Sequence, residues 1–141
     1  MREDKSGLAI LALVAVIGGT VGLAAAGPPQ KGERIEAGRR SFRMYCASCH
    51  GAEGEGDGLV AKDLKIAPTD LTRLARRHRG TFPYDAVYRA IDGRAEMRGH
   101  GPGSMPVWGL SFQSRGTDVN QEEETREKVR DLVAYLQSIQ K

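Results

Sequence analysis

The chain has 141 residues, of which 40% are hydrophobic, 28% are charged and 6% are aromatic. This length accommodates one domain and a short additional segment. The formal net charge is +3 and both signs are spread along the chain, which excludes the concentrated basic face of a nucleic-acid-binding protein.

The first predicted element is an apolar stretch, residues 8–26, which contains no charged side chain. The alanines at 24–26 are typical of a signal-peptide cleavage site, but the length approaches the roughly 20 residues of a transmembrane helix. Residues 1–26 are therefore predicted to be a signal peptide or a membrane anchor, and acidic residues in the charged start slightly favour the anchor. Because Arg2 and Lys5 favour the inner side, both forms predict delivery to the periplasmic side of a bacterial inner membrane. The membrane is an expected partner if the segment is not cleaved.

A proline- and glycine-containing linker is predicted at residues 27–33, followed by a single domain at 34–141. Apolar spacing and capping signals predict helices at 33–45, 69–79 and 83–91, and a last helix that begins with Asn120 as N-cap and Glu123 in a capping box. Glycine and proline predict loops at 51–58 and 100–109. No alternating strand pattern of useful length occurs, so the predicted fold class is all-α.

The motif Cys46-Ala47-Ser48-Cys49-His50 is the C-x-x-C-H pattern of covalent haem attachment. Two thiols at this spacing can add to the two vinyl groups of haem, and the adjoining His50 then becomes an axial ligand of the iron. A disulfide here would close a very short loop and stabilise little. A zinc site needs four ligands, and the remaining candidates, His78 and His100, have no zinc-knuckle spacing. A thioredoxin-like pair would need a strand–helix context, which is absent from the prediction.

The second axial ligand distinguishes an electron carrier from a ligand-binding haem protein. Met105 lies in a loop rich in proline and glycine that can present its thioether with little loss of entropy. Thioether ligation favours ferrous iron over ferric iron. Met97, His100 and an open site are the alternatives, and Met44 on the first helix is interpreted as a core residue.

The motif and its surroundings resemble class I cytochrome c, in particular bacterial cytochrome subunits of respiratory membrane complexes. Gly38 and Phe42 stand eight and four residues before Cys46, and Leu132 and Tyr135 match the face of the last helix that packs on them in this family. The resemblance implies helices wrapped around one haem c, here preceded by an N-terminal apolar helix.

Further roles are implied by the same resemblance. The Pro68 carbonyl would accept a hydrogen bond from the second ring nitrogen of His50. Trp108, in the run that follows Met105, would contact a haem propionate or cover the porphyrin face. The implied function is one-electron transfer to redox protein partners by a protein that is not itself an enzyme. A haem enzyme or gas sensor with an open site, and a module without haem, are the alternative hypotheses.

The basic run Arg76-Arg77-His78-Arg79 has two interpretations. It is either a docking patch for an acidic partner or a solvated helix face. His78 is predicted to be exposed and not to be a ligand, and His100 either bonds a propionate or caps its loop.

Overall fold

The computed structural model describes residues 27, 29–95, 105–113 and 119–141, with the side chain of Val119 excepted. Six α-helices occur in these ranges: α1 (Lys31–Tyr45), α2 (Ala47–His50), α3 (Leu74–Arg77), α4 (Tyr84–Asp92), α5 (Trp108–Ser111) and α6 (Val119–Ser138). Single 3₁₀ turns form at Ala61–Asp63 and Leu71–Arg73. The described ranges contain no strand, which confirms the all-α prediction.

The core forms where α1 crosses α6. A Cβ added at Gly38 would lie 1.9 Å from the Asp131 carbonyl oxygen, so only glycine allows the two backbones to approach this closely. One turn later, Phe42 packs on Tyr135 with ring centroids 5.2 Å apart. Arg34 extends the contact by donating to Glu127 at 2.6 Å. The crossing predicted from the resemblance is therefore present.

Helix α4 forms the third side of the core. Its buried residues Val87 and Ile91 are four positions apart and so share one face of the helix. They belong to the same apolar cluster as Val129, Leu132 and Leu136 on α6. The helix ends at Asp92, and Gly93 just beyond it has a φ of +67°, the left-handed conformation typical of this position.

Helix bounds differ from the prediction at several places. Helix α1 begins at Lys31, inside the predicted linker, because Glu33 accepts a 2.8 Å hydrogen bond from the Gln30 amide. Helix α6 begins at Val119, so Asn120 lies within the first turn and is not the N-cap. The carboxylate of Glu123, predicted for the capping box, accepts from Arg130 at 2.8 Å.

The predicted helix at 69–79 is shorter and begins with a tighter turn. Asp70 accepts from the Thr72 amide, which caps the 3₁₀ turn Leu71–Arg73, and α3 then runs to Arg77. Residues 78–80 reverse the chain, with φ values of +58° at Arg79 and +86° at Gly80.

Several predictions fall on residues outside the described ranges: the apolar segment 1–26, Met97 and His100. Among the described helices, none combines the length and the apolar character that crossing a membrane requires.

The α1–α6 crossing can be tested with two glycines of the same helix. Gly38→Ala is expected to lower the free energy of unfolding by about 3 kcal/mol, because the added methyl overlaps the Asp131 carbonyl. In Gly32→Ala the methyl meets nothing within 4 Å, so the free energy is expected to be unchanged or raised by up to about 1 kcal/mol. Urea denaturation measures both, and equal effects of the two substitutions would contradict the close approach.

Candidate haem site

The three motif side chains lie where α1 passes into α2. Cys46 lies between α1 and α2, with its amide donating to the Phe42 carbonyl at 2.8 Å, and the His50 amide donates to the Cys46 carbonyl at 2.9 Å. This continuous hydrogen bonding fixes both cysteines and the histidine relative to the buried Phe42. The site is thus anchored directly to the core.

The glycine-rich loop after α2 folds back over the motif. The Gly56 amide donates to the His50 carbonyl at 2.8 Å, and the Gly58 amide donates to the Cys49 carbonyl at 3.1 Å. A Cβ at Gly58 would lie 2.3 Å from the Ser48 carbonyl oxygen. The loop therefore satisfies the carbonyls at the end of α2 in a way that needs glycine at this position.

The ring of His50 is oriented by a backbone carbonyl. Its Nδ1 lies 3.0 Å from the Thr69 carbonyl oxygen, and because a carbonyl can only accept, Nδ1 is the donor. Nε2 is then left with a lone pair for a metal ion. The prediction that Pro68 supplies the acceptor is wrong by one residue. The Pro68 carbonyl instead lies against Gly56, where a Cβ would approach it to 2.6 Å.

Asp70 caps the turn that directly follows Thr69, whose carbonyl orients His50. Its Oδ1 accepts from the Thr72 amide at 2.9 Å and from the Thr72 hydroxyl at 2.6 Å. The hydroxyl bond is the main reason that the pKa of Asp70 lies below its usual value. On the other side of the turn, the Leu71 amide donates to the Gly54 carbonyl at 2.7 Å. Residue 69 is thereby fixed between a capped turn and the glycine loop.

Two adjoining cavities open beside the motif, with volumes of about 280 and 310 Å³. Four residues line both of them: Cys46, His50, Thr69 and Met105. Apolar side chains form most of the wall of the first cavity, and those of α4 and α6 are among them. The second cavity is rimmed by Leu64 and Ile66, which are 42% and 65% exposed. Together the two cavities form a slot, and a slot with such walls suits a flat, largely apolar group.

Of the methionines considered, Met105 shares this slot with His50. It is half-buried and packs against the core cluster. Met44 is 73% exposed, so its interpretation as a core residue is wrong: position 44 lies on the outer face of α1, two residues from the buried Phe42.

Trp108 and Pro68 also line the second cavity. The indole of Trp108 lies within an aromatic cluster, with ring centroids 5.6 Å from Tyr45 and 5.4 Å from Phe112. This cluster connects the segment that carries Met105 to α1, one residue before Cys46.

The structure confirms that His78 is exposed, but it also shows a contact that the sequence did not indicate. His78 lines the first cavity, and its Nδ1 lies 2.9 Å from the Leu74 carbonyl oxygen. Arg76, Arg77 and Arg79 around it are exposed. No sequence signal distinguishes a histidine directed to the cavity from its solvated neighbours at the end of a one-turn helix.

The comparison with family models gives one match, to the family described as cytochrome c, over residues 35–140. The chain belongs to the cytochrome c family. The resemblance seen in the sequence is thereby confirmed at the level of the family. A comparison with curated proteins finds no match.

Cytochromes c carry electrons through a haem, and the thiol environment fits such a group. Burial is the main cause that raises the pKa of Cys46 to about 12, and the neighbouring Cys49 contributes. The site therefore disfavours a thiolate and suits an uncharged sulfur, as in a thioether. With the ring of His50 already oriented and the walls apolar, the residues present fit a haem.

The turn that orients His50 gives a prediction with a defined pH dependence. Asp70→Ala is expected to lower the free energy of unfolding at neutral pH by about 1–2 kcal/mol, because the buried Thr72 hydroxyl loses its acceptor. Asp70→Asn retains an acceptor and is expected to cost less.

The pH dependence follows from the lowered pKa of Asp70. Its stabilisation is fully present above the unfolded value of about 3.8 and is lost as pH falls through the lower folded value. The difference between wild type and Asp70→Ala should therefore shrink in strong acid, as measured by urea denaturation across pH. A difference that stays constant down to about pH 2 would contradict the lowered pKa.

Proposed function

We propose that this protein is a one-electron carrier in which Cys46 and Cys49 attach one haem c covalently and His50 and Met105 are its axial ligands. A bound haem c supplies an iron that cycles between the ferric and ferrous states. The residues of the chain attach and orient that group and keep water from it; they transform no substrate.

The observation that supports the proposal most directly is the environment of His50. Its Nδ1 donates to the Thr69 carbonyl at 3.0 Å, which leaves Nε2 free, and Met105 lines the same two cavities. A histidine whose second nitrogen donates to a backbone carbonyl is typical of metal ligation, because that bond fixes the tautomer and ring orientation. An imidazole and a thioether facing one slot are the ligand set of a high-potential cytochrome c.

The walls of the slot support electron transfer over substrate chemistry. Val87, Ile91, Leu132 and Leu136 line the first cavity and are at most 9% exposed. An apolar surrounding disfavours the extra positive charge of the ferric site and so raises the reduction potential. A thioether in the distal position would also occupy the site that a peroxidase-like enzyme or a gas sensor keeps open.

The ligand set can be tested with two methionines. The haem-loaded wild-type protein is expected to show the weak long-wavelength absorption band of a ferric iron–thioether bond, to retain haem under denaturing conditions, and to bind carbon monoxide slowly when reduced. Met105→Ala should lose the band and bind carbon monoxide rapidly, because the distal position is then open. Met44→Ala, in an exposed methionine on α1, should behave as wild type.

The outcomes separate the hypotheses. A band that persists in Met105→Ala would assign ligation to another methionine. A wild-type protein that lacks the band and binds carbon monoxide rapidly would favour the enzyme or sensor. A protein matured with haem-attachment machinery that carries no haem would contradict the whole proposal.

We further propose that the domain works on the periplasmic side of a bacterial inner membrane, as a soluble carrier or as the cytochrome subunit of a membrane oxidoreductase. This location is supported by the uncharged stretch 8–26, which follows the basic residues Arg2 and Lys5. Its partners would be redox proteins that exchange electrons with the haem.

Cell fractionation tests this location. External protease should digest the haem-loaded domain in spheroplasts but not in intact cells, because the domain is then outside the inner membrane. Retention on carbonate-washed membranes together with an intact N-terminus would establish the anchor, whereas a mature chain that starts near residue 27 would establish the soluble form. Haem-free protein protected inside spheroplasts would contradict the proposed compartment.

A further inference from the structure

A charged cluster joins the end of α4 to the beginning of α6. The Arg94 Nε donates to Asp92 Oδ1 at 2.6 Å, and its Nη1 donates to Glu122 Oε2 at 2.7 Å. Arg94 follows α4 by two residues, and Glu122 lies in the first turn of α6. One guanidinium therefore connects two helices that are far apart in sequence.

The segment that carries Met105 is part of the same cluster. Gln113, at the end of the segment 105–113, donates from Nε2 to Glu122 Oε2 at 2.7 Å, the oxygen that Arg94 also binds. Glu122 thus accepts from the α4 side and from the Met105 segment at once.

The backbone of the segment also packs directly on this cluster. A Cβ added at the buried Gly109 would lie 1.9 Å from Asp92 Oδ1 and 2.6 Å from Arg94 Nε. At Gly93 a Cβ would lie 3.3 Å from Val107 Cα. The end of α4 therefore forms a surface shaped to receive residues 107–109.

The charges of the cluster are partly withdrawn from water. The side chains of Asp92, Arg94 and Glu122 are 17%, 25% and 32% exposed. Hydrogen bonding to Glu122 is the largest cause of the raised pKa of Arg94, and hydrogen bonding to Arg94 is the largest cause of the lowered pKa of Glu122. Charge-assisted bonds in such an environment are stronger than fully exposed ion pairs.

The Met105 segment needs external support. Its regular structure is the single turn α5 (Trp108–Ser111), and one isolated turn is not stable in water. On one side, Trp108 and Phe112 pack on Tyr45 with ring centroids 5.6 and 5.1 Å away. The charged cluster contacts the segment at Gly109 and Gln113.

We propose that Asp92, Arg94, Glu122 and Gln113 form a clamp that positions the Met105 segment and so sets how firmly Met105 is held as a ligand. This inference rests on the proposed role of Met105. None of the four clamp residues lines the two cavities, so they act through the segment and are positioning residues.

The test compares haem-loaded variants of the clamp with a matched ion pair elsewhere on α6. Arg94→Ala and Glu122→Gln should raise the affinity of the ferric protein for added imidazole about tenfold, because imidazole binds only when Met105 has left and a lost charge-assisted bond favours that open state. Backbone amides of residues 105–113 should exchange hydrogen about tenfold faster. Arg94→Lys should give an imidazole affinity and an exchange rate between those of Arg94→Ala and wild type, since lysine keeps the charge but not the forked geometry.

Arg130→Ala is the control. Arg130 binds Glu123 and Glu127 on α6 at 2.8 and 2.6 Å, so the substitution removes a comparable number of ion pairs while leaving the clamp residues in place. Imidazole affinity and exchange at 105–113 are expected to match wild type. Urea denaturation in parallel separates a local opening from a global loss of stability.

The outcomes distinguish the two proposals. Wild-type imidazole affinity and amide exchange in both Arg94→Ala and Glu122→Gln would overturn the clamp. An equal effect of Arg130→Ala would also overturn it, since the response would then reflect general stability. If the wild-type protein lacks the iron–thioether band, the assignment of Met105 as a ligand fails. The clamp is then tested by amide exchange alone, and unchanged exchange at 105–113 in both variants would refute it.

Discussion

The contact between α1 and α6 at Gly38 is the constraint on which the rest of the structure depends. Because no side chain separates the two backbones there, Phe42 on the next turn is driven into the core, and Cys46 follows one further turn along the same face. On the partner helix, Leu132 and Leu136 face the same region. Phe42, Cys46, Leu132 and Leu136 all line the first cavity. The interaction that closes the core therefore also builds one wall of the haem slot, so substitutions in the crossing should affect both stability and haem environment.

Local sequence patterns predicted those helices whose formation depends on interactions between residues close in sequence. Periodicity and capping identified α1, α4 and α6, whereas the crossing of α1 and α6 at Gly38 was implied by the resemblance to class I cytochrome c. Errors arose where a distant partner competes with a local preference. Asn120 and Glu123 are good capping residues in isolation, but the Glu123 carboxylate binds Arg130 and the helix starts one residue earlier. The acceptor for His50, which the resemblance placed at Pro68, was predicted wrongly by one residue: the Pro68 carbonyl packs against Gly56, and the Thr69 carbonyl accepts from the ring.

The site could be predicted only in part for a similar reason. Cys46, Cys49 and His50 form a contiguous motif whose proposed chemistry requires that spacing, so their role could be predicted from sequence alone. The bond between Arg94 and Glu122 joins residues 28 positions apart, and neither has a motif or a periodic position. Nothing in a single sequence selects this pair from the many arginines and glutamates of the chain. Such residues become visible only when the fold brings their side chains together.

The two sides of the slot are held by different kinds of interaction. His50 is fixed by backbone hydrogen bonds to its own helix and to the glycine loop, and its ring donates to the backbone carbonyl of Thr69. All three bonds form within about twenty residues of chain. The Met105 segment has one helical turn of its own and relies on side-chain contacts with α1, α4 and α6. Backbone bonds survive most substitutions, whereas side-chain ion pairs and ring contacts can be changed one residue at a time. In the proposed carrier, the histidine side would therefore be the invariant half of the site, and the methionine side would be the half through which sequence changes adjust iron coordination and reduction potential.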